Sequence, residues 1–194
     1  MPSVEYDLRY LQDAADELDR YLISDELFWP VTAQPPEGEA DYPRLTLGGL
    51  LLAHARLRRP DLKLQEQARL IRLETQIETT RFHWQAAWNN KTAREFASRI
   101  NQWRNYLEEY RQNPDLQADF YPYEVRWRVL LALLDEEGQG IDPEQLELLR
   151  TLDMLHEAVF VKGEFIWETE LQPCFPSERF WYLYGRLRKE ARQT

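Results

Sequence analysis

Val4, Leu8, Leu11, Ala15, Leu18 and Leu22 recur at intervals of 4, 3, 4, 3 and 4 residues. A helix turning every ~3.6 residues brings all six to one face, whereas a half-buried strand would repeat every second residue. Ser3 stands where an N-cap is needed, and the seam closes near Ser24. The same 3/4 spacing returns along most of the 194 residues and limits the chain to helices packed on helices.

Thr46 caps a second helix through Arg58, with Gly48 and Gly49 in its first turn and Pro60 beyond its end. A third helix is predicted from about Leu62 to Trp88 on Leu70, Leu73, Ile77, Trp84 and Trp88. A fourth carries Ala93, Phe96, Ile100, Trp103, Leu107 and Tyr110. Continued helix would carry the third seam to Lys91, two residues before the next seam starts, a slip of about 200°. Thr92 and Glu95 spell a capping box. The spacing therefore predicts a central helical hairpin turning at Asn89–Thr92. Pro122 starts a fifth helix containing VRWRVLLALL, apolar on more than one side and so central. Asp142-Pro143 starts a sixth, and Ser177 caps a last helix to about Arg192.

Residues 30–44 hold four prolines with Glu37, Glu39 and Asp41, and read as an acidic surface loop. Residues 164–176 are irregular. Phe165, Trp167, Thr169 and Leu171 alternate like a strand, but no partner strand is visible, so extended packing or one helical turn is expected. The expectation is one all-α domain over 1–194, a bundle of about seven helices.

The net charge of −10 is unevenly spread. Residues 1–43 carry −9, 44–112 carry +6, 113–175 carry −10 and 176–194 carry +3. Opposite segments in one compact chain must lie close together, so the basic middle is expected to sit against acidic helices, the first helix lying on the fourth. An overall acidic surface disfavours nucleic acid as partner. The longest apolar stretch, Leu47–Ala53, is far too short to span a membrane. No export leader follows Met1 and Cys174 is the only cysteine, so a cytoplasmic location is expected.

No phosphate loop, dinucleotide fingerprint, nucleophile elbow, H-E-x-x-H or C-x-x-C occurs. Thr46-Leu47-Gly48-Gly49 is the nearest thing to an anion cradle, but the preferred reading is that the two glycines let a neighbouring helix approach closely. Asp153 and His156 have the spacing of half a di-iron site, without a second copy. Residues 135–142 resemble a calcium loop until Gln145 replaces the bidentate glutamate. His54 reads as a core histidine and Cys174 as a small buried hydrophobe. No catalytic residue, metal or cofactor is therefore assigned.

Three function classes compete. The leading one is a non-catalytic helical protein–protein interaction or scaffold subunit, self-associating or docked on another protein, since 7 Trp, 10 Tyr and 20 Arg are the residues that dominate interfaces. The alternatives are nucleic-acid binding through the Arg-rich hairpin and an enzyme with a dispersed site. On a last helix, Phe180, Leu183, Tyr184, Leu187 and Ala191 form the inner stripe. Trp181, Tyr182, Gly185 and Arg188 fall beside it and are the predicted partner-binding residues.

Overall fold

The computed structural model describes residues 2–137 and 139–189. It is predominantly helical, with seven α-helices and one two-stranded sheet among those residues. Helix α1 (Val4–Ile23) begins as the sequence requires, Ser3 Oγ accepting the Tyr6 N–H at 3.1 Å. Its seam is buried throughout, from Leu8 to Leu22.

The acidic face of α1 meets α2 (Leu47–Leu57) and α3 (Leu64–His83), its main packing partners. Asp7 pairs with Arg56 of α2 at 2.5 Å, and Glu5 with Arg69 of α3 at 3.1 Å. The basic middle is thus matched by internal carboxylates as expected, but the helix opposite α1 is not the fourth. Helix α4 (Gln85–Gln112) packs mainly on other helices, and its Arg94 donates at 2.8 Å to the Asp25 carbonyl just beyond the end of α1.

The bend between α3 and α4 falls at Trp84 (φ −111°, ψ 33°), and α4 runs without interruption through Asn89–Thr92. Lys91 explains the difference. It lies on the buried seam, 2 % exposed, with its ammonium over the Tyr21 ring and donating to the carbonyl of Glu26. A lysine can occupy a core seam when its amine satisfies carbonyls beyond a helix C-terminus. From the bend, α3 lies along α1 while α4 packs on α5, α6 and α7.

Helix α5 (Pro114–Glu124) starts earlier than predicted, because Asn113 caps it through the Leu116 N–H and Pro114 occupies the first turn. Pro122 sits near its end, where the missing N–H weakens the ladder. Val125 separates it from α6 (Arg126–Glu136), whose Val129, Leu130, Leu131, Leu133 and Leu134 are all buried between α2 and α4. Helix α7 (Pro143–Val159) is capped by Asp142, as predicted.

The C-terminal helix is not formed. Residues 181–183 make a single 3-10 turn, and Tyr184–Leu187 is a strand, β2, antiparallel to β1 (Phe160–Phe165). The strand-like run Phe165–Leu171 gives only Phe165 to this sheet and passes into the helical turn expected of it, at Thr169–Cys174, while Phe160 faces Leu187 and Lys162 faces Gly185. An i, i+3, i+4 apolar pattern over so few residues does not separate helix from strand once a second strand is at hand. The predicted Ala191 and Arg192 lie outside the described residues.

Candidate anion-binding cleft

Between α1, the start of α2, α4 and the α5–α6 bend lies a chamber of about 480 Å3. Helix α1 contributes Tyr6 and Tyr10, and the segment before α2 contributes Phe28, Arg44 and Thr46. Leu52 and Arg56 come from α2, Arg99 from α4, and Tyr123, Arg126 and Trp127 from the bend at Val125. Four arginines line this chamber and, among the described residues, no aspartate or glutamate does. In a chain of net charge −10 that segregation sets the chemistry.

The four cations are not equivalent. Arg56 is bound to Asp7 through Nε at 2.9 Å and Nη2 at 2.5 Å, and Asp7 is 3 % exposed. Arg99 is held by Glu95 at 3.0 and 2.9 Å, by Gln102 at 3.0 Å and more loosely by Thr46 Oγ1 at 3.5 Å. Arg44 donates to the Phe28 carbonyl at 3.4 Å. Arg126 has no hydrogen-bond or ion-pair partner among the described residues, and its Nε is buried. It stacks instead on Tyr123 at 3.6 Å and Trp127 at 4.2 Å, and the Trp127 ring also lies 5.0 Å from the Arg99 guanidinium. Aromatic stacking stabilises a guanidinium but leaves its N–H donors unsatisfied.

Burial raises the Tyr6 and Tyr10 hydroxyls above the ordinary phenol range, so both remain protonated; Tyr6 donates to the Asp41 carbonyl at 3.3 Å and Tyr10 to the Arg44 carbonyl at 3.4 Å. The chamber lining thus combines guanidinium groups, of which Arg126 keeps an unsatisfied N–H, with flat aromatic walls. It contains no carboxylate, imidazole or thiol that could move a proton.

The helix start singled out in the sequence adjoins this chamber but is already filled. Gly48 N–H donates to Glu95 Oε2 at 2.8 Å and Gly49 N–H to Thr46 Oγ1 at 3.0 Å. A Cβ on Gly48 would lie 2.8 Å from Glu95 Oε1, and one on Gly49 would lie 2.7 Å from Tyr10 Oη. The glycines admit close neighbours, and the anion at the helix N-terminus is the protein's own carboxylate. Glu95, read as half of a local capping box, caps a different helix.

The remaining candidates lie elsewhere. His54 is half-buried with Glu74 Oε1 at 2.6 Å. Asp153 is held by Arg128 at 2.7 Å, so it does not join His156 in a ligand set. His156 is fully buried among Trp103, Tyr121, Phe160 and Trp181. Tyr121 gives its proton to the Tyr182 carbonyl at 2.5 Å, so His156 Nε2–H must donate to Tyr121 Oη at 3.0 Å. Burial pushes this imidazole down to about 3. Among the described residues no group of three or more His, Cys, Asp or Glu could hold a metal ion. Cys174 is half-buried beside the Arg56 carbonyl, and burial raises its thiol.

The helical face that grouped the predicted partner-binding residues does not form. Trp181 is half-buried against His156 and Phe160, and Tyr182 is completely buried. Gly185 sits against Val161 and Phe160, and Arg188 stands exposed just beyond β2, its backbone bonded to Val159.

No helix among the described residues is long and apolar enough to cross a membrane. Comparison with protein-family models, with curated proteins and with solved structures found no match.

Proposed function

We propose that this chain is a non-catalytic helical binding protein that captures an anion in the arginine-lined chamber. The observation that carries the reading is Arg126, a half-buried guanidinium without a counter-ion on a wall of four arginines and no carboxylate. Desolvating a cation without a partner is costly, and an anionic ligand would supply the missing partner. This reading keeps the expectation of a non-catalytic protein but replaces the expected protein partner at Trp181, Tyr182, Gly185 and Arg188 with an anion in the chamber.

Thermal melts in phosphate and in chloride at matched ionic strength test the proposal. Binding predicts a concentration-dependent rise in Tm, equivalent to about 2.7 kcal/mol when ligand reaches a hundred times its Kd. Arg126→Ala is expected to remove the rise. Equal melting in phosphate, sulfate, citrate and chloride would overturn it.

A further inference from the structure

A second, more open chamber of about 640 Å3 continues from the first, and the two share Pro2, Leu52, Arg56, Tyr123 and Arg126 as lining. Beyond Arg126 the wall changes character. Pro122, Ile166, Trp167 and Leu171 line it, with Glu168 as the single acidic residue. Trp167 Nε1 donates to the Pro122 carbonyl at 2.9 Å and so ties the 166–171 segment to the end of α5. Leu171, in the 3-10 turn at Thr169–Cys174, is buried and forms part of the main apolar cluster. The cleft therefore has a cationic, donor-rich inner end and an apolar outer end, joined at the unpaired guanidinium of Arg126.

We infer that the cleft takes a single amphipathic organic anion, with its phosphate or carboxylate head against Arg126 and Arg99 and an apolar arm along Ile166, Trp167 and Leu171. This rests on the reading of the inner chamber as an anion site and adds the chemical class of the ligand. A bare inorganic anion would leave the outer groove in water. A neutral apolar molecule would leave Arg126 unpaired. Only a molecule carrying both parts satisfies both ends. The volumes suit it, since sites for small organic ligands run from roughly 300 to 1,000 Å3.

Titration calorimetry of the full chain with inorganic phosphate, then ethyl, butyl, hexyl and octyl phosphate below their micellar concentrations, separates the possibilities. The expected result is one-to-one binding that tightens about fourfold for each methylene buried, levelling off when the groove is full. Octanol at the same concentrations should not bind, and Ile166→Asn, which adds no charge beside Arg126, should flatten the chain-length series. Phosphate binding with no gain along the series would overturn the amphipathic assignment and leave the anion site standing. No binding by any member would overturn the anion site itself. Octanol binding as tightly as octyl phosphate would overturn both. Vesicles of phosphatidic acid distinguish a lipid surface from a free molecule: sedimentation of the protein with vesicles, without binding of octyl phosphate, would overturn the single-molecule form. Because the series is read on the unmodified chain, the test does not depend on any variant folding.

Discussion

The backbone N–H of Gly48 donates to Oε2 of Glu95 at 2.8 Å, joining the first turn of α2 to the buried face of α4 across 47 residues of sequence. Glu95 is fully buried, and its other oxygen neutralises Arg99, so one carboxylate caps a helix and balances a guanidinium. Glu95→Ala leaves that cation buried and uncompensated, and should cost about 3–5 kcal/mol in urea unfolding. Glu95→Gln, which keeps an acceptor for Gly48, should cost visibly less. Gly48→Ala drives a methyl against Glu95 Oε1, the oxygen that holds Arg99, and against Leu130, with an expected loss of about 1–3 kcal/mol. Equal stabilities for Glu95→Ala and the unmodified chain would contradict this account of the junction.

Much of this architecture follows from local pattern. The seams of α1 and α4 and the caps Ser3, Thr46 and Asp142 are legible because each depends on residues within a few positions of one another. What is not legible depends on distant partners. Lys91 on a core seam looks like a helix break until Tyr21 and Glu26 are placed beside it. Tyr184–Leu187 reads as helix until Phe160–Phe165 is laid alongside it. The cleft is the extreme case, since Tyr6, Arg56, Arg99 and Arg126 come from four separate helices. Its only sequence trace is the aromatic and arginine run from Tyr121 to Arg128 around Pro122, which also reads as plain amphipathic helix.

The arginines of the cleft should separate cleanly on mutation. Arg56→Ala strands Asp7 in the interior and should cost about 3–5 kcal/mol. Arg126→Ala strands no carboxylate and should fall within about 0.5 kcal/mol of the unmodified chain without ligand. Chemical denaturation of the two variants side by side provides the comparison. A large loss from Arg126→Ala would show that its stacking on Tyr123 and Trp127 is structural.

His156 gives the fold a defined acid dependence. The unfolded chain takes up this proton near pH 6.5, while the folded imidazole resists until about 3. Between those values the unfolded state holds the extra proton. The contribution is therefore whole above pH 6.5 and declines by about 1.4 kcal/mol per pH unit as pH falls through the window. His156→Phe keeps the ring stacking and leaves Tyr121 bonded to Tyr182. Unfolding free energies at pH 7.5, 6, 5 and 4 should fall less steeply for the variant, by that one-proton slope. Parallel curves would mean that His156 titrates alike in both states.

Gly185 and Gly38 both adopt positive φ, +155° and +84°, but only one is hemmed in. A Cβ on Gly185 would lie 2.2 Å from the Val161 carbonyl oxygen and 2.6 Å from the Phe160 ring, whereas nothing lies within 4 Å of one on Gly38. Gly38→Ala should cost about 1 kcal/mol from backbone strain alone. Gly185→Ala must in addition push β2 off β1, and should cost clearly more. Thermal melts of the pair decide it, and similar losses would place the β1–β2 register in error.

The pairing of β1 with β2 also bears on the order of folding events. Helices α1 to α7 form from neighbouring residues, but sealing the aromatic cluster requires Tyr182 to reach Tyr121 across 61 residues and Arg188 to reach Tyr110 across 78. Loop-closure entropy makes such contacts expensive to gain early, so they belong on the native side of the barrier. Substitutions in Tyr184–Leu187 should then hasten unfolding while barely slowing refolding. In a stopped-flow chevron, this strand is where the lifetime of the native state is set.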